Sequence, residues 1–363
     1  RHGAPDMLIL PLAGSPVPKP DLVAWTIHLP LLGGTLLLSY ALYFSAPAPL
    51  LWGMVLLAAA IAAFLAVAIY SLVLAPARNA STQAMLLALV ALMVTAGLGL
   101  SLAAALAGRL GIPIMTITNL HAGWGLLGWT FLLVIGVAYQ VVPMFQLTPV
   151  YPRKLTRWLA VSLFVLLLLW SAHTLLPPVA AHRLALLGGL GLAAGISIFA
   201  GMTLKLQWMR KRRVPDITLQ FWQVGMVSLL AASALWLSGH VGAHFSESAA
   251  YPLLLGMLFI VGFALSVIIG MLYKVVPFLI WFHLQSNMPP GKRAPNVKQV
   301  IPENATRWHW RLHVLTVPVF LFSAIWPAPW VYPAGVLLLL QGVLLFINLY
   351  RAWQLYRAIA ATA

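Results

Sequence analysis

The sequence predicts an all-α, polytopic transmembrane helix bundle of about ten spans. Of its 363 residues, 62% are hydrophobic and only 7% are charged, a balance no soluble domain tolerates. Apolar runs of about 20 residues recur along nearly the whole length, each long enough to cross a hydrocarbon core of about 30 Å. These runs lack the short alternating segments of a membrane barrel. With no water in the bilayer to satisfy the backbone, the spans must be helices.

In chain order the spans are read at about 22–45, 50–75, 84–108, 118–145, 156–176, 182–207, 218–244, 251–284, 309–327 and 330–354. Residues 22–145 form a first four-helix unit and 146–284 a second. The stretch 285–308, rich in Pro, Asn, Lys and Gly, reads as an exposed cytoplasmic loop. Residues 309–363 close the chain as a helix pair, and 1–21 read as a cytoplasmic tail or the end of a truncated helix.

Topology explains the charge. Once the spans are placed, 17 Lys and Arg fall on one side, including Arg153, Lys154, Arg157 and the run Arg210–Arg213, against Arg109 and Arg183 on the other. The positive-inside rule makes the rich side cytoplasmic, with both ends of this chain inside and the lipid bilayer as its surroundings. The net charge of +16 therefore needs no nucleic acid. Cysteine is absent, which excludes disulfides, thiolate metal sites and iron–sulfur clusters. The spans hold no paired carboxylates, and no nucleotide-binding glycine loop or nucleophile elbow occurs, so no enzymatic reaction is assigned.

The segment TNLHAGWGLLGWTFLLVIGVAYQVVPMF (118–145) is echoed by GFALSVIIGMLYKVVPF (262–278). At an offset of 134 residues Gly128 matches Gly262, Gly136 matches Gly270, Tyr139 matches Tyr273 and Val141-Val142-Pro143 matches Val275-Val276-Pro277. This marks an internal repeat with a period of four helices. A weaker echo, MLILPLAGSPVPKP (7–20), suggests that about two helices stand upstream.

Five histidines gather at the expected outer face: His121, His173, His182, His240 and His244. His240 and His244 are spaced i, i+4 and share a helical face, a spacing that suits a metal if a third ligand converges; hydrogen bonding in the headgroup zone is the plainer role. His121 lies beneath Trp124 and Trp129 among Gly123, Gly125 and Gly128. Its two readings are an imidazole bonded to a neighbouring helix and a haem or metal ligand using the flat space the glycines leave. Arg109 and Arg183 on the same side could pair with haem propionates, or simply with lipid phosphate. On the inner face Lys274 either snorkels to the interface or conducts protons, and His283, Arg307, His309, Arg311 and His313 cluster around the long loop.

HAGWGLLGW…GVAYQVVPMF and GMLYKVVPFLIWFHL, set in four-helix arcs with a histidine at the outer end of an arc's last helix, resemble the haem–copper oxidase subunit I family. Locally they are similar to its small relatives near nitric oxide reductase and the NnrS-type membrane haem proteins. The resemblance implies twelve helices, with cofactors held on the outer side. It places His121 at a copper-ligand position and His173 near the paired copper histidines. The departures are large: Leu255 stands where the repeat would put a haem-ligating histidine, Gly125 stands where some oxidases keep a tyrosine, and the first haem-bearing helix would precede residue 1.

The resemblance thus implies an inner-membrane protein without a complete oxidase centre. It would bind haem b or a metal such as copper near the periplasmic face through His121, His240 and His244, for electron transfer or nitric oxide-related chemistry beside other subunits or a periplasmic electron carrier. The rival expectation is a cofactor-free structural or assembly subunit of a larger membrane complex.

Overall fold

The computed structural model describes residues 19–74, 79–211, 216–241, 243–289 and 294–361, apart from the side chains at 241, 243 and 244. It is all helix, with no strand among these residues. The long helices are α1 Pro20–Phe44, α2 Pro47–Val73, α3 Ala80–Leu106, α4 Ile114–Gln146, α5 Arg153–Ala172, α6 Pro178–Trp208, α7 Ile217–Val241, α8 Ala250–Asn287, α9 Glu303–Ile325 and α10 Pro327–Ala360. Each expected span falls on one of them. Among the described residues nine are long and apolar enough to cross a membrane. The exception is α9, whose first turns carry Arg307, His309, Arg311 and His313. The echo at residues 7–18 lies outside the described residues.

Local chemistry sets the starts. Pro20, Pro47 and Pro327 open α1, α2 and α10, where a missing N–H costs nothing. Asn79 caps α3 in a reciprocal box with Thr82.

The chain forms two compact units, and their borders differ from the sequence-based ones. The first contains the chain up to Pro143 and Val150–Leu192; the second contains Met144–Pro149 and Ala193–Ala363. Thus α5 joins the helices before it. In the first unit Trp170 of α5 closes on Gly123 of α4 and Gly188 of α6, where an added Cβ would meet it at 2.8 and 3.0 Å. The second unit takes the long loop and the last helix pair because α8 packs on α10 as well as on α7.

The repeat is present in the backbone. α4 opens into a π-helical stretch at Trp124–Phe131 and α8 does so at Leu258–Leu265, the same eight positions at the offset of 134. The contacts recur too. A Cβ on Gly136 would lie 3.0 Å from the Ser81 carbonyl of α3, and one on Gly270 would lie 3.0 Å from the Thr218 carbonyl of α7. Gly128 faces Ala91 as Gly262 faces Ser228. These partners fix α3 onto α7 at an offset of 137. The following helices match at 150: YPRKLTRW (151–158) against IPENATRW (301–308). Pro152 and Pro302 cap α5 and α9, while the Thr156 and Thr306 hydroxyls donate to the carbonyls of Arg153 and Glu303. The repeated motif is therefore α3–α4–α5, copied as α7–α8–α9.

Candidate functional site

The residues expected at the outer face are placed as follows. His121 is half-buried in α4, its Nδ1 3.0 Å from the Thr95 carbonyl of α3. Its ring fills the space over Gly99, where a Cβ would come within 2.9 Å of Cε1. Trp124 is buried and donates its indole N–H to Ser171 Oγ at 2.9 Å. His173 turns back on the Trp170 carbonyl of its own helix end. Arg109, His182 and Arg183 are exposed. In the second unit His240 is exposed, bonds the Trp236 carbonyl one turn back and stacks on that indole with centroids 4.0 Å apart. The His244 side chain lies outside the described residues.

The flat space expected beside His121 is closed. Gly123 is covered by Trp170, Gly125 by Thr95 at 3.2 Å, and Gly128 by Ala91 and Leu167 at 2.8 and 3.1 Å. These glycines serve close helix approach, and a haem does not fit the residues around His121 as they are packed. Among the described residues no three His, Cys, Asp or Glu come together as a metal site.

The second unit holds a different constellation, on three helices. Ser266 and Tyr273 lie two turns apart on α8, His309 and His313 one turn apart on α9, and Gln341 and Asn348 two turns apart on α10. They meet at two levels. Nearer the start of α9, Asn348 Nδ2 donates to Tyr273 Oη at 2.9 Å, and that hydroxyl shares a hydrogen bond with His309 Nδ1 at 2.6 Å, whose direction is set by the His309 tautomer. One turn deeper, His313 Nε2 is 2.6 Å from Ser266 Oγ and its Nδ1 is 2.7 Å from Gln341 Oε1. Both imidazoles are fully buried, at 0% exposure, with Phe221 against each.

Two proton arrangements satisfy the deeper level. His313 Nδ1–H can donate to the Gln341 carbonyl while Ser266 donates to Nε2. With the Gln341 amide turned over, its N–H donates to Nδ1, Nε2–H donates to Ser266, and Ser266 donates to the Gly262 carbonyl at 2.5 Å. Passing from one arrangement to the other needs the Gln341 side-chain amide to rotate by half a turn, exchanging its oxygen and nitrogen, while the imidazole and the Ser266 hydroxyl stay in place. At the level nearer the start of α9, His309 Nε2 is buried without a partner, as is Gln341 Nε2. Among the described residues Gln341 bonds His313 only, and no hydrogen bond joins the two levels.

Tyr273 also lines a cavity of about 160 Å³ at the Lys- and Arg-rich end of the unit, with Gln146, Arg210, Asp216, Lys274 and Thr306. That is room for several waters. Lys274 does not snorkel freely: its Nζ pairs with Asp216 at 2.7 Å. Burial pushes the Asp216 carboxyl up, but the Lys274 ammonium and the bonds from Lys274 and Thr218 outweigh it and hold the group below the usual carboxylate range.

The first unit lacks this chemistry at the matching places. Asn79 stands for Asp216, Gln140 for Lys274, Leu132 for Ser266, Leu159 for His309 and Leu163 for His313. Only the tyrosine persists, and the Tyr139 hydroxyl is buried with no partner. The sequence reading placed His309 and His313 at a loop-side cluster and passed over their depth. Their i, i+4 spacing, with Gln341 and Asn348 seven apart in the next apolar run, was the available signal. Of the other members, His283 bonds the Leu279 carbonyl, Arg307 pairs with Glu303 at 2.6 Å, and Arg311 lies over Trp308.

Together these features define a multi-pass α-helical membrane protein built on an internal three-helix repeat, with a buried polar cluster in one copy. No family model and no curated protein matches the chain.

Proposed function

We propose that the second unit is a proton-transfer path from the cytoplasmic face into the membrane. The reading rests on the Tyr273–His309 hydrogen bond, which joins the cavity to a buried imidazole. Ionisable groups within a span are costly and are functional candidates by default. His313 lies ten residues into α9, or about 15 Å from the start of the helix. Water in the cavity would exchange protons with Tyr273, and the route would continue through His309 and, across the unbonded gap between the levels, the Gln341 amide, His313 and Ser266. The Asp216–Lys274 pair holds fixed charges at the mouth. The positive-inside rule makes that mouth cytoplasmic. Such a path supports the electron-transfer or nitric oxide-related role only through a partner that takes the proton, so the chain is read as one subunit of a larger inner-membrane complex.

The test is side-chain hydrogen exchange in vesicles containing nitrogen-15 histidine-labelled protein, with His309→Leu and His313→Leu used to assign the signals. On transfer to D2O the His309 and His313 N–H signals should exchange within minutes. Asp216→Asn combined with Lys274→Gln, the residues of the first copy, should slow them at least tenfold. Protection lasting days in the unmodified protein would mean a dry structural network and would end the proposal.

A further inference from the structure

We infer that the first unit holds an anionic phospholipid in the groove between the ends of α2, α3 and α5. This groove measures about 810 Å³ and is walled by Leu72, Val73, Leu86 and Val90, with Arg153 and Arg157 at its Arg-rich end. The two arginines are exposed and one turn apart on α5. Like charges at i, i+4 repel and destabilise a helix unless an anion lies between them. Among the described residues of this unit the only acid is Asp21 of α1.

The other copy supplies the comparison. Its residues at these positions are Glu303 and Arg307, joined at 2.6 Å, and its corresponding cavity is about 160 Å³ with Asp216 inside. The first copy has a wider, apolar groove and no anion of its own. Two guanidinium forks at the depth of the first turn of a span suit a phosphodiester, and the apolar wall below suits an acyl chain. Basic pockets between helices on the positive side of a membrane protein bind anionic headgroups for this reason.

The experiment is thermal unfolding of the full chain in nanodiscs of phosphatidylcholine alone or with added phosphatidylglycerol. The unmodified protein should melt a few degrees higher with the anionic lipid. Arg153→Glu, which installs the ion pair of the second copy, should fold and lose that rise. Lys154→Glu makes the same charge change on a residue that does not line the groove and should keep it. An equal midpoint in both lipids would overturn the proposal. So would an equal rise from inorganic phosphate in phosphatidylcholine, which would mean an ion site rather than a lipid site. Retention of the rise in Arg153→Glu, or its loss in Lys154→Glu, would reduce the effect to general surface charge and overturn it as well.

Discussion

Tyr273 and His309 share a 2.6 Å hydrogen bond in the second unit, while the matching pair in the first unit is Tyr139 and Leu159, and the Tyr139 hydroxyl is buried with no partner. The fold is the same at both places, since the π-helical stretches and the glycine contacts recur residue for residue. Two copies of one motif have therefore been given different contents. The second carries the imidazoles, the serine hydroxyl and the ion pair, and the first has leucine in place of Ser266, His309 and His313 and the uncharged Asn79 and Gln140 in place of the ion pair.

That pairing predicts an order of stabilities. Tyr273→Phe leaves His309 Nδ1 buried without a partner and should cost about 1–3 kcal/mol. His309→Leu removes an imidazole whose Nε2 already lacks a partner. It takes a partner from the Tyr273 hydroxyl but spares the Asn348 bond, whereas Tyr273→Phe breaks both, so it should cost less than Tyr273→Phe. Thermal unfolding in one detergent ranks the two, and a larger loss in His309→Leu would contradict the hydrogen-bond assignment.

The Asp216–Lys274 pair predicts acid sensitivity. The folded carboxyl titrates below its unfolded value, so its contribution is complete above the unfolded pKa of about 4. It is lost as pH falls through the folded pKa. Unfolding curves should be insensitive to this group between pH 5 and 7 and should fall off below about pH 4. Asp216→Asn, which copies Asn79, should flatten that part of the decline.

Close helix approach predicts the cost of a methyl group. A Cβ on Gly270 would meet the Thr218 carbonyl and the Phe221 Cβ, both at 3.0 Å, and neither is a flexible chain end. Gly270→Ala should destabilise by about 1–3 kcal/mol. Gly256, with nothing within 4 Å, should accept alanine without loss. Parallel melting curves check the contrast.

The closed glycine faces around His121 predict that no haem is ligated by that residue. A reduced-minus-oxidised spectrum of the purified chain should be the same in His121→Ala as in the unmodified protein. Near-stoichiometric b-type bands that disappear in His121→Ala would show that α4 and α5 separate to admit a haem, and would restore the outer-face reading.

Much of the architecture was legible in the residues. The length and spacing of the apolar runs located the ten long helices, because a span must be about 20 apolar residues and must satisfy its own backbone. The glycines and the Tyr-x-Val-Val-Pro ending located the repeat at its offset of 134. The α5–α9 correspondence was harder to see, because a longer loop before α9 shifts its offset to 150. The histidines were read by nearness to span ends, and that misjudged His309 and His313: α9 begins at Glu303, six residues before the expected span, so both lie inside the helix.

Sequence alone thus determined the class of the protein, since hydropathy and period act along the chain, where every residue is visible. Only tertiary structure decided what the polar residues do. Whether glycines make a slot or a contact depends on Trp170, Thr95 and Ala91, which come from other helices. Whether a histidine is a surface group or part of a buried cluster depends on Tyr273, Ser266 and Gln341, distant in sequence and within hydrogen-bond reach in space. Burial and hydrogen-bond partnership are properties of the packed helices, and no single span contains them.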